Sequence, residues 1–109
     1  MRIPFVMVVL CVFAVAGNAF AEDAARGPHV YTESKCSLCH SVGGLGNKKG
    51  SLDGVGAKLT AVELREWITG APDMAARAKA VRKPAMKSYP NLTKDDLDAL
   101  VAYLQTLKK

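Results

Sequence analysis

The sequence predicts a small, mainly helical fold, and three observations lead to this prediction. Capping patterns open helices at Thr60 and at Thr93. Apolar residues that follow each cap recur three or four positions apart, which is the helical period. Glycine and proline interrupt the chain between the helical segments, at Gly70 and at Pro84 and Pro90.

Residues 1–21 have the pattern of an export signal. Met1 and Arg2 give a positive start, residues 3–16 are almost wholly apolar, and Ala19 and Ala21 are small residues at the positions that a signal peptidase reads. We predict cleavage after Ala21, which would remove Cys11 and leave one domain at residues 22–109. A retained N-terminal anchor is the alternative, although the apolar run is shorter than the ~20 residues of a spanning helix.

The first segment of that domain predicts a loose start at residues 22–26 and a short helix over residues 27–35. Pro28 is tolerated only in the first turn of such a helix. His29 lies on the same short segment as the motif that follows it, so we predict a surface histidine there.

Cys36-Ser37-Leu38-Cys39-His40 is the attachment motif of a c-type haem. Each thiol can add across one haem vinyl group to form a thioether, and the imidazole of His40 can then bind the iron from one face. A redox disulfide between Cys36 and Cys39 is one alternative, but it requires a βαβ pattern that is not visible here. A zinc site is the other, but the chain has no Cys or His after residue 40.

Glycines dominate residues 43–56, which predicts a loop that can follow a flat surface closely. We expect its apolar members to cover the edges and one face of the haem: Leu45, Leu52, Val55 and Leu59. A second helix is predicted to begin at Thr60. Glu63 completes a capping box there, and Leu64, Trp67 and Ile68 form an apolar stripe. We expect Trp67 to pack in the core.

Residues 72–80 predict a short helix, and the prolines that follow predict an extended loop at residues 81–91. Two methionines remain beyond the leader. Met74 lies in the predicted helix, and we predict that its side chain packs in the interior. Met86 lies between Pro84 and Pro90, which stiffen the backbone around it, so we predict Met86 as the second axial ligand of the iron.

The last helix is predicted to begin after Thr93, with a continuous apolar face: Leu97, Leu100, Val101, Leu104 and Leu107. A thioether ligand favours Fe(II), and protein ligands on both faces leave no open position for a substrate. The sequence therefore predicts a one-electron carrier and not an enzyme. The alternative is a haem peroxidase or ligand-binding haem protein with an open or displaceable sixth position.

The full chain carries a formal charge of +5. Part of this excess is concentrated in one basic cluster: Lys79, Arg82, Lys83 and Lys87. The cluster is either an ordinary solvated face or a docking surface for an acidic redox partner. Nucleic acid is not an expected partner, because the basic residues lack interleaved aromatic residues.

These residues together make the sequence similar to the class I c-type cytochromes, of the small monohaem bacterial kind. The resemblance covers the Gly27 and Tyr31 pair, the Cys36–His40 motif, the segment 50–56, Pro84-Ala85-Met86 and residues 97–104. It implies an all-α class I cytochrome c fold, with short helices around one covalent haem c and with the first and last helices crossing. It also implies a periplasmic protein that is not inserted in the membrane once the signal is cleaved.

The resemblance implies one further contact. The family often has a Gly-Pro-x-Leu segment whose proline carbonyl accepts a hydrogen bond from the ligand histidine. Here the segment is Gly50-Ser51-Leu52, and we expect the carbonyl of Ser51 to take that role for His40.

Overall fold

The computed structural model describes residues 19–109 and shows an all-α fold, as the sequence predicts. Five α-helices form within these residues: α1 (Ala19–Glu33), α2 (Val55–Lys58), α3 (Ala61–Thr69), α4 (Ala71–Ala78) and α5 (Lys94–Thr106). Two 3-10 turns occupy Cys36–Leu38 and Lys48–Gly50, and a small antiparallel hairpin pairs β1 (Ser41–Val42) with β2 (Leu45–Gly46).

Helix α1 crosses helix α5, and the crossing is closest at Gly27. A Cβ atom at Gly27 would lie 2.5 Å from the carbonyl oxygen of Ala99 and closer still to Cβ of Tyr103. Only a glycine allows the two backbones to approach this far. The expected crossing of the first and last helices is therefore confirmed, with Gly27 seated against Tyr103.

The core forms where α3 joins this crossing. Its buried residues come from α1, α3 and α5: Val30, Tyr31, Leu64, Ile68, Ala99, Leu100, Val101 and Leu104. The rings of Tyr31 and Tyr103 meet edge to face with their centroids 6.0 Å apart, which is a favoured geometry for an aromatic pair. Several of these core residues also line the cavity of the candidate site, which is described below.

The start of α1 corrects the prediction from sequence. Residues 22–26 are helical and not loose, since the helix begins at Ala19 and carries Pro28 in its interior. Alanine, glutamate and arginine in this stretch are strong helix formers. Pro28 removes only its own N–H bond, and Thr32 Oγ1 donates to the Pro28 carbonyl at 2.9 Å.

Most of the predicted leader lies outside the described residues, including Met1, Met7 and Cys11. Ala19, Phe20 and Ala21 are described, as the first residues of α1. Cleavage after Ala21 stays a prediction. Within residues 19–109, no helix is both long enough and apolar enough to cross a membrane.

The predicted caps are confirmed. Glu63 N donates to Thr60 Oγ1 at 3.2 Å, and Thr60 N donates to Glu63 Oε1 at 3.0 Å, so both halves of the capping box form. Asp96 N donates to Thr93 Oγ1 at 3.1 Å at the start of α5. These bonds fix where α3 and α5 begin, and the start of α5 is the downstream end of the segment that contains Met86.

The glycine-rich segment is more ordered than a plain loop. Gly43 and Gly44 make the turn of the β1–β2 hairpin at φ +58° and +81°, a region that glycine adopts without strain. Leu45 lies on this hairpin and is 80% exposed, so the expectation that it covers the haem is wrong. Both residues of β2 are exposed, so the hairpin presents Leu45 to solvent.

Candidate functional site

A cavity of about 550 Å³ opens beside the core, between α1, α3, α5 and the segment after α4. A volume of this size suits a bound organic group. Apolar side chains form most of its lining: Tyr31, Leu52, Val55, Leu59, Leu64, Trp67, Ile68, Leu100 and Leu104. Trp67 is half-buried and faces this cavity, so it serves the site as well as the packing of α3.

Cys36, Cys39 and His40 all line the same cavity. Lys35 adopts a left-handed conformation with φ 58°, and the 3-10 turn Cys36–Leu38 begins after it. The amide groups of Cys39 and His40 both donate to the Cys36 carbonyl, at 3.1 and 2.9 Å. This tight turn places the two thiols and the imidazole on one side of the chain.

The two thiols differ in their surroundings. Both are free, with Cys36 half-buried and Cys39 exposed. Burial raises the pKa of the Cys36 thiol to about 11, and the neighbouring Cys39 adds to this effect. Within residues 19–109, no three Cys, His, Asp or Glu side chains form a group that could hold a metal ion.

The imidazole of His40 is fixed by the backbone. Its Nδ1 lies 2.9 Å from the carbonyl oxygen of Gly50. A carbonyl only accepts, so Nδ1 carries the hydrogen and Nε2 keeps its lone pair. Burial lowers the pKa of His40 and favours this neutral ring, which is the form that binds a metal.

The accepting carbonyl belongs to Gly50, and the expectation of Ser51 is corrected by one residue. Asn47 accepts from Lys49 N and caps the 3-10 turn Lys48–Gly50, whose last residue then faces His40. A Cβ atom at Gly50 would collide with the Cys39 carbonyl and with the guanidinium of Arg82. Glycine is thus required here for close approach.

Further backbone bonds hold the segment around His40. Asn47 N donates to the His40 carbonyl at 2.9 Å, and Asn47 Nδ2 donates to the Leu38 carbonyl at 3.2 Å. Leu52 N donates to the carbonyl of Ser41, which is buried. The glycine-rich segment therefore forms a bracket beneath the Cys36–His40 motif.

Met86 lines the same cavity, although it lies in the segment after α4 and is distant from His40 in sequence. It is half-buried in the Met86 loop, which we define as residues 80–92, between α4 and α5. Met74, the other methionine of the described chain, is 8% exposed within α4 and does not line the cavity. The structure therefore brings Met86, and not Met74, to the cavity that contains His40.

His29 does not line the cavity. Its imidazole is exposed on the surface of α1, with Nε2 3.1 Å from Glu33 Oε1, one helical turn away.

Two residues of the basic cluster, Arg82 and Lys87, line the cavity. The other two, Lys79 and Lys83, are exposed and lie nearby in sequence. The charges of the cluster thus gather at the side of the cavity formed by the Met86 loop.

The hydroxyl of Tyr31 also faces this region. Tyr31 is 8% exposed and lines the cavity, and its hydroxyl is buried with no hydrogen-bond partner within the described residues. Burial raises the pKa of Tyr31 to about 12. An orphaned buried hydroxyl is costly, which fits a cavity that is completed by a bound group.

The chemistry of the lining matches a c-type haem. Two thiols can form thioethers, one imidazole and one thioether are available to the iron, and the apolar walls suit a porphyrin. Sequence reasoning identified these four side chains. It missed Gly50 as the residue whose carbonyl accepts from His40, and Arg82 as the neighbour of Gly50. No local signal could have revealed Arg82, because it contacts a residue 43 positions away.

Comparisons with known proteins give two matches to this chain. The family model described as Cytochrome c matches residues 24–108. A curated relative, cytochrome c oxidase subunit 2 of Alkalihalophilus pseudofirmus, is 33% identical over 94 residues that cover 78% of this chain. The chain spans only 26% of that protein's length. No solved structure matches the chain.

Proposed function

Because this chain belongs to the cytochrome c family, we propose that it carries one electron at a time on a single haem, whose iron His40 and Met86 would bind. The family makes it a haem-based electron carrier with a covalently bound c-type haem. The ligands and the count of one haem are our proposal. One observation supports them above all: a single cavity is lined by both thiols, by the fixed imidazole and by Met86.

When bound, the haem supplies an iron that changes between Fe(II) and Fe(III). Cys36 and Cys39 would hold it by thioethers, since each S–H can add across a vinyl group with no net change of oxidation state. Gly50 keeps the hydrogen of His40 on Nδ1, so that Nε2 faces the cavity. Met86 offers a soft sulfur that favours the reduced iron.

The remaining residues limit the chemistry to electron transfer. Apolar side chains form most of the lining, and ligation by both His40 and Met86 would leave no position on the iron for peroxide or oxygen. We therefore propose a carrier and not an enzyme.

A pair of matched variants tests the ligand assignment. Met86→Leu should abolish the methionine–iron charge-transfer band in the visible spectrum, whereas Met74→Leu should retain it. Leucine has a similar volume to methionine and conserves packing at both positions. A Met86→Leu protein that keeps the band would overturn the assignment. A wild-type protein with a high-spin spectrum that changes on adding cyanide or peroxide would favour the peroxidase or ligand-binding alternative.

The partners and the location follow as proposals. We propose that the protein works in the periplasm with acidic redox partners, which the basic cluster would attract. The named relative is a cytochrome c oxidase subunit, and this supports a partner among membrane-bound redox complexes. Nucleic acid is not a proposed partner.

Two measurements check these points. Mass spectrometry of the protein isolated from the periplasm should give a chain that begins at Glu22 and carries the mass of one haem. Electron transfer to an acidic partner should slow steeply as ionic strength rises. A chain with its leader retained, or a rate that does not depend on salt, would contradict the corresponding proposal.

A further inference from the structure

The Met86 loop is tethered to the rest of the protein on both sides of Met86. Downstream, Tyr89 N donates to the Ile68 carbonyl at 2.7 Å. Ser88 Oγ accepts from Ala71 N at 3.1 Å, at the start of α4. These two bonds fix the end of the loop that leads into α5.

Upstream, the tether is one side chain. Arg82 Nη2 donates to the carbonyl oxygen of Cys39 at 2.7 Å. This bond joins the Met86 loop to the motif that precedes His40 in the chain. Arg82, Cys39 and Met86 all line the cavity, so this bond joins two segments of its wall.

The same guanidinium also lies against Gly50. A Cβ atom at Gly50 would collide with Arg82 Nη1, so the guanidinium occupies the space that a side chain would take there. Gly50 is the residue whose carbonyl holds His40. Arg82 therefore contacts the two residues that flank and fix the imidazole, while it belongs to the loop that carries Met86.

We propose that Arg82 is a positioning residue that ties the Met86 loop to the His40 side of the cavity and so retains Met86 on the iron. The inference rests on the proposed function, since it takes Met86 as a ligand. The guanidinium has a second effect, because a positive charge beside the cavity favours Fe(II) over Fe(III). Arg82 thus acts on ligand retention through its hydrogen bond and on the reduction potential through its charge.

The test compares three variants of the holoprotein: Arg82→Gln, Arg82→Lys and Lys83→Gln. Each protein is mixed with imidazole in a stopped-flow instrument. The loss of the methionine–iron band then gives the rate at which Met86 leaves the iron. Loss of one charge-assisted hydrogen bond at the surface corresponds to a change of about tenfold. Arg82→Gln should therefore react about tenfold faster than the wild type.

Lys83→Gln is the matched control, since it removes the same charge from the next, exposed residue. It should stay within about twofold of the wild-type rate. Arg82→Lys keeps the charge but not the planar fork, so it should restore the reduction potential that Arg82→Gln lowers and only part of the retention. A role in packing alone would not produce this separation of potential from rate.

The outcomes are distinct. If Arg82→Gln reacts at the rate of Lys83→Gln, or if Arg82→Lys leaves the potential as low as Arg82→Gln does, the inference about Arg82 is wrong while Met86 ligation stands. If the wild type has no methionine–iron band, the proposed function itself fails, and this inference fails with it.

Discussion

Substitution of Gly27 by alanine should test the helix crossing most directly. The added Cβ would lie 2.5 Å from the Ala99 carbonyl oxygen and closer still to Cβ of Tyr103. Favourable contacts between such atoms lie at about 3.5–4.0 Å. Helices α1 and α5 would therefore have to separate by about 1 Å, at the centre of the core.

Two terms of opposite sign set the magnitude. Overpacking of a well-packed core costs about 1–3 kcal/mol. Replacement of a glycine within a helix returns about 0.5–1 kcal/mol. The clash involves a backbone carbonyl oxygen, so we take the upper end of the first range, about 3 kcal/mol. The net loss in the free energy of unfolding is then about 2 kcal/mol, which lowers the melting temperature of a domain of this size by about 10 °C.

Denaturant unfolding of the holoprotein, followed by far-ultraviolet circular dichroism, measures this loss. Gly70→Ala is the matched control, because a Cβ there lies no closer than 3.5 Å to its nearest neighbour, the Glu66 carbonyl oxygen. That variant should change the stability by less than about 1 kcal/mol. If Gly27→Ala proves as stable as the wild type, the crossing is not as close as described.

Three further predictions concern single residues. Thr60→Ala removes the capping box and should cost about 1 kcal/mol in urea unfolding, and an unchanged midpoint would contradict this. Lys79 ends α4 in a left-handed conformation with φ 53°, which glycine adopts without strain. Lys79→Gly should therefore raise the free energy of unfolding by about 1 kcal/mol in the same assay. Lys79→Ala keeps the strain and removes only the charge, so it should bring no such increase. A hydrogen bond from Lys94, and to a smaller degree one from Arg65, lowers the pKa of Asp98 from its usual 3.8. The ionised Asp98 therefore stabilises the fold above pH 3.8, and this stabilisation is lost as the pH falls below that value. Asp98→Asn should therefore flatten the fall in stability between about pH 5 and pH 3, and equal slopes for both proteins would refute the pairing.

Features with short range were predictable from the sequence. The bonds at Thr60 and Thr93 each span three residues, so the residue types alone indicate them. The spacing of Cys36, Cys39 and His40 is equally local. Stiffening by Pro84 and Pro90 pointed to Met86 for the same reason.

One error was local, and the others arose where tertiary contacts or turn geometry decide. Helix propensity in residues 22–26 outweighs Pro28, since a proline costs the helix only one hydrogen bond and a local clash. The hairpin turns Leu45 outward, which its apolar side chain alone does not predict. The carbonyl that holds His40 was placed at Ser51 by analogy, whereas the 3-10 turn presents Gly50. The bond from Arg82 to Cys39 joins residues too far apart in sequence for any periodic pattern to indicate.

The three tethers of the Met86 loop all end on main-chain atoms of the neighbouring elements: the carbonyls of Cys39 and Ile68 and the amide of Ala71. A backbone group is the same whichever side chain its residue carries. The side chains of Ile68 and Ala71 are therefore free to serve the core, since their backbone groups alone hold the loop. Only two of the three tethers depend on the identity of a side chain, and these side chains, Arg82 and Ser88, both belong to the loop itself.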